Sequence, residues 1–111
     1  MNARKSELRD VVLDIIFDRE KVTYDPSQFT HLVSGVAEVL GRRASGSRSG
    51  INSLEYGLND GDKTLVEEIF WDLFTERVIT LGLDAVNIEF PWFRLHSDAA
   101  ANLKRATSRN Q

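Results

Sequence analysis

The chain has 111 residues, 41% of them hydrophobic, a formal net charge of −3 and no cysteine. That length fits one domain with a modest core. The absence of cysteine excludes disulfides, thiolate metal sites and thiol nucleophiles, and suits a reducing cytoplasmic setting. No apolar run approaches transmembrane length, and the opening residues Asn2, Arg4, Lys5 and Glu7 exclude a signal-peptide core, so no membrane role is expected. The acidic balance argues against a general phosphate binder. Of the 14 Lys/Arg and 17 Asp/Glu, residues 1–48 hold eight and seven, and residues 49–111 hold six and ten. The acidic excess therefore lies in the second half.

Residues 6–21 place Leu8, Val11, Val12, Ile15 and Ile16 at i, i+3, i+4, i+7 and i+8, one face of an amphipathic helix. Arg9, Asp10, Asp14 and Asp18 fall on the other side. Residues 24–43 predict a second helix. Asp25 would cap it, Pro26 suits its first turn, Phe29, Leu32, Val33, Val36, Val39 and Leu40 keep helical spacing, and Gly41 is the expected stop. His31 has no neighbouring group that would make it a ligand or a base. "GRRASGSRSG" at 41–50 reads as a flexible basic loop, from which Arg42, Arg43 and Arg48 could meet phosphates or simply keep the loop solvated.

Ile51, Leu54 and Leu58 allow a short helix over 51–58, closed by the turn signal "NDGD". Thr64 followed by Glu67 matches a capping box, and Val66, Ile69, Phe70, Leu73 and Phe74 then carry a helix to about Arg77. "VITLG" and "WFRLH" are short β-like runs with Asp84, Asn87 and Pro91 between them, which predicts an antiparallel hairpin with a long tip. The tail from Ser97 or Asp98 starts as a helix, and 104–111 is expected to be loose.

Two stretches carry a resemblance. "LFTERVI" at 73–79 runs from a helix into a first strand, with Arg77 where glycine is usual. "FPWFRL" at 90–95 has the proline-aromatic start of a returning strand that leads to a short C-terminal helix. Together with the helix–hairpin order, residues 51–96 resemble the winged helix-turn-helix domain. The expected fold is therefore mainly α with a small β-hairpin, winged-helix-like, over a single domain 1–111 with an additional N-terminal helix. Either 26–40 or 51–58 serves as the second helix. The shorter turn favours 51–58, since the motif ordinarily uses three or four turn residues.

In that family the helix before the hairpin lies in the major groove, so it needs cations and amides on its outer side. Here that side reads Glu67, Glu68, Trp71, Asp72 and Glu76, with Lys63, Thr64 and Arg77 only at the ends. Its ordinary meaning is a solvated face. It disfavours groove docking and favours a protein partner, so the expected partner-binding residues are Glu68, Trp71, Asp72 and Trp92. Burial in the core is the ordinary fate of both tryptophans, and an exposed interface anchor is the functional reading. The expected function is a non-enzymatic module that binds a protein subunit or a second copy of itself, as an accessory component of a bacterial multi-protein system. The alternative is a regulator that contacts duplex DNA through Arg42, Arg43, Arg48 and Arg94. No phosphate loop, metal-spaced histidine pair or catalytic constellation is present in the sequence, so neither a cofactor nor enzymatic activity is expected.

Overall fold

The computed structural model describes residues 3–45 and 58–109. Helix α1 spans Ala3–Ile16, α2 Phe29–Ser45 and α3 Asp60–Thr75. Strands β1 (Ile79–Leu81) and β2 (Phe93–Leu95) follow, then α4 at Ala99–Arg109. The fold is mainly α with one small antiparallel sheet, an α+β arrangement. None of the described helices is long and apolar enough to cross a membrane.

Helix α1 is the centre of the molecule and packs against both α2 and α3. Its predicted stripe, Leu8, Val11, Val12, Ile15 and Ile16, is buried together with Leu32, Val36 and Val39 of α2 and Val66, Ile69, Phe70 and Leu73 of α3. The helix stops five residues before the expected 21. The apolar stripe ends at Ile16, and Asp18 turns into the left-handed region at φ 60°. There the Arg19 amide donates to the Asp14 carbonyl at 2.7 Å and the Asp18 amide to the Ile15 carbonyl at 3.1 Å, the Schellman pattern.

Helix α3 ends in the same way. Arg77 takes φ 61°, its amide donates to Phe74 and the Val78 amide to Leu73 at 2.9 Å. Arg77 thus adopts the conformation that glycine reaches without a Cβ penalty. The side-chain Nδ2 of Asn102 in α4 holds this turn by donating to the Arg77 carbonyl at 2.8 Å.

Both ends of α2 differ from expectation. Asp25 and Pro26 do not open it, because Ser27 and Gln28 are drawn into pairing with the hairpin. The Phe93 amide donates to the Ser27 carbonyl at 3.0 Å, the Phe29 amide to the Pro91 carbonyl at 2.9 Å, and Gln28 bridges Trp92. Gly41 does not end the helix either, which runs on to Ser45. Arg42 and Arg43 sit in that last stretch, where cations complement the helix C-terminus. The capping box at Thr64 and Glu67 is corrected as well. The cap is Asn59, whose Oδ1 accepts from the Asp62 amide at 2.7 Å, so the same spacing recurs five residues earlier. Thr64 lies inside the helix and donates to the Asp60 carbonyl.

The favoured second helix, 51–58, falls outside the described residues except for Leu58, which is buried in the core. Among the described residues the helix between α1 and α3 is α2. The hairpin forms as predicted, with Ile79 opposite Leu95, Thr80 opposite Arg94 and Leu81 opposite Phe93. Its long tip is organised locally: Asp84 Oδ1 accepts from the Val86 and Asn87 amides at 2.9 and 2.8 Å. A Cβ on Gly82, at φ 84°, would meet the Ile88 carbonyl oxygen at 2.8 Å, so this turn requires glycine. The tail is helical to Arg109, and Ala99 and Ala106 are buried.

Candidate partner-docking surface

Helix α3 presents three sides. The inner side, Val66, Ile69, Phe70 and Leu73, is in the core. The acidic side faces α1. Lys5 Nζ lies 3.2 Å from Glu68 and 3.0 Å from Asp72, and Arg9 contacts Glu76 at 2.7 Å. Arg4 adds a contact to Asp62 at 3.0 Å. The stripe Glu68–Asp72–Glu76 is therefore a seam between two helices as well as a surface. Hydrogen bonding to Asp72 and then to Glu68 raises the Lys5 pKa, while the hydrogen bonds from Arg4 hold the Asp62 carboxyl below its ordinary value. Glu68 and Asp72, expected as partner contacts, already hold a cation of their own chain. Glu67 is exposed and makes no ion pair among the described residues.

The third side is aromatic. The Trp71 ring stacks on Phe90 of the hairpin tip, with centroids 5.6 Å apart and planes at 24°. It also meets Phe70 and Phe74 edge-on at 5.1 and 5.8 Å. Phe70 lies beneath, fully buried, against Phe29, Phe90 and Phe93. The outer rings stay open: Trp71 is 38% exposed, Phe74 40% and Phe90 44%. Such an offset and edge-to-face array is favourable for aromatic quadrupoles, yet it leaves a contiguous apolar surface in water. Val86 and Ile88, on the loop that leads to Phe90, are exposed as well.

Trp71 thus belongs to the exposed ring cluster, and Trp92 does not. Trp92 is half-buried, belongs to the Gln28 bridge and makes no ring contact with this cluster. The residue that completes the cluster is Phe90, two positions earlier. The chain turns back between them, with the Trp92 amide donating to the Glu89 carbonyl. Sequence spacing did carry a signal for Phe74. It lies three residues after Trp71, on the same helix flank, close to the end of α3.

The arginines of the DNA alternative are placed differently from one another. Arg42 contacts Glu20 at 3.2 Å and Glu38 at 2.7 Å, and donates to the Lys21 carbonyl at 2.8 Å. Arg43 lies 3.2 Å from both Asp14 and Glu20. Both therefore fold back onto the segment that joins α1 to α2. Arg48 lies outside the described residues. Arg94 is exposed on β2, with a 3.5 Å bond to the Gly82 carbonyl and no ion pair among the described residues.

The histidines serve local structure. His31 stacks on Tyr24, and His96 Nδ1 accepts from the Asp98 amide at 3.0 Å just before α4. Among the described residues no group of three His, Asp or Glu is placed to hold a metal ion. Neither a scan of protein-family models nor searches of curated proteins and of solved structures finds a match to this chain.

Proposed function

We propose that this protein is a non-enzymatic, winged-helix-like module that binds a protein partner through the aromatic side of α3 and the tip of its hairpin. The winged-helix reading is supported by the direct passage of α3 into a two-stranded hairpin, by the left-handed turn at Arg77, and by the short helix after β2. Residues 46–59 separate α2 from α3, and most of them lie outside the described residues.

The observation that carries the protein-docking reading is the exposed Trp71–Phe74–Phe90 surface. Large apolar rings packed on each other but open to water are the usual anchors of protein interfaces. The helix that would enter a DNA groove bears Glu67, Glu68, Trp71 and Phe74 along its open length. A duplex would meet carboxylates there, and Arg42 and Arg43 would first have to leave theirs.

The test is a photo-crosslinking residue in place of Phe74, in the full chain within its host cell. A single discrete crosslinked protein that disappears with Trp71→Ala supports the reading. Saturable binding to a random duplex at physiological salt, weakened by Arg94→Ala and untouched by Trp71→Ala, would replace it with the DNA reading.

A further inference from the structure

The rings are rimmed by negative charge. Glu67 lies four residues before Trp71 on the same helix flank, Glu68 lies three before it toward the α1 side, and both are exposed. Glu68 shares Lys5 with Asp72, so one cation faces two carboxylates. Glu89 directly precedes Phe90, is exposed, and like Glu67 makes no ion pair among the described residues. The exposed cations nearest in sequence are Arg77, three residues after Phe74, and Lys63, one turn before Glu67; neither makes an ion pair among the described residues, and the carboxylates flank Trp71 and Phe90. An apolar centre with an acidic rim constrains its occupant. A second copy docking by the same face would set these carboxylates against each other across a two-fold axis. A nucleic acid would set its phosphates against them. A cationic segment would gain on both counts, by charge at the rim and by a guanidinium or ammonium over the open part of the Trp71 ring.

Resting on the docking reading above, we propose that the Trp71–Phe74–Phe90 surface takes a cationic segment of a different protein. A large apolar side chain of that segment sits on the rings, and flanking Lys or Arg side chains sit over Glu67 and Glu89. Discrimination follows from the rim and affinity from the rings, a division common at protein interfaces.

The experiment selects random dodecapeptides displayed on phage against the full chain at physiological salt. The selected peptides are then titrated against the wild type, Trp71→Ala, Phe74→Ala, and Glu67→Lys with Glu89→Lys. Selected sequences should carry two or more Lys/Arg around a large apolar residue. Trp71→Ala should weaken them by about 30-fold, the size of an interface hot spot. The double charge reversal should weaken them by about 10-fold and reduce their salt dependence. Phe74→Ala serves as the second lesion should Trp71→Ala loosen the fold, which circular dichroism would reveal.

Uncharged or acidic peptides, lost with Trp71→Ala but indifferent to the charge reversal, would overturn the cationic partner and leave the docking face standing. Peptides indifferent to both aromatic substitutions would overturn both. A dimer by sedimentation that dissociates with Trp71→Ala would give the face to a second copy and overturn the inference.

Discussion

The two flanks of α3 solve opposite problems. On the α1 side the helix carries Glu68, Asp72 and Glu76, and the fold answers with Lys5 and Arg9. On the hairpin side it carries Trp71 and Phe74, and the fold supplies Phe90 but leaves all three rings partly in water. Charges that looked like an interface are in part internal, while rings that looked like core are in part surface. The difference teaches that residue type alone does not assign a face. Half-exposed carboxylates beside a cation lose little solvation and bring modest order, whereas exposed aromatic area is a standing cost that a partner would relieve.

The sharpest way to test that contrast is to truncate rings at the two depths. Phe70→Ala, at the buried foot of the cluster, should destabilise the fold by about 3–5 kcal/mol in urea denaturation. Phe90→Ala, at its open edge, should cost about 1 kcal/mol, the worth of an aromatic pair. Equal losses would mean that the outer rings belong to the core, and the contrast would collapse. The seam side can be probed from its N-terminus. Asn59→Ala removes the cap of α3 and should cost about 1 kcal/mol, with Asn59→Ser largely restoring it.

A smaller effect of opposite sign is expected at the other end of α3. Arg77→Gly removes the Cβ penalty of the left-handed turn and should stabilise by about 0.5 kcal/mol, net of the entropy glycine adds to the unfolded chain. Destabilisation instead would show that the Arg77 side chain makes a contact worth more than the strain.

The smallest effect is on pH dependence. The folded Asp62 carboxyl titrates below its unfolded value because Arg4 hydrogen-bonds the charged form. Its contribution is thus present above the ordinary aspartate range and disappears as pH falls through the lowered folded value. Asp62→Asn should flatten the acid limb of the stability curve and leave the alkaline limb alone. The Lys5 pKa is raised, so its share runs the other way. It holds below the ordinary lysine pKa and is lost as pH rises through the folded one.

Several features were legible in the sequence for local reasons. The stripe from Leu8 to Ile16 and the series Val66, Ile69, Phe70, Leu73 have a helical period, and both series are buried. The hairpin followed from two β-rich runs around an irregular tip, and its strands pair where those runs lie. Helix ends were read less well. Asp25 and Pro26 form a sound start signal, but Ser27 and Gln28 are worth more as partners of the hairpin, more than 60 residues away in the chain. Gly41 is a sound stop signal that α2 overrides.

The site divides in the same way. Trp71 was recognisable because it follows Phe70 on a helix, so the two rings must diverge by about 100° and one must leave the core. Its partner was not. Trp92 and Phe90 have equal aromatic claims in "FPWF", and only the turn between Glu89 and Trp92 sends Phe90 onto Trp71 and Trp92 toward Gln28. By itself the sequence determined the helix faces, the strands and the acidity of α3, because these depend on spacing within one element. Tertiary structure alone decided which cations meet which carboxylates and which rings stay open, because these depend on how α1 and the hairpin tip come to rest against α3.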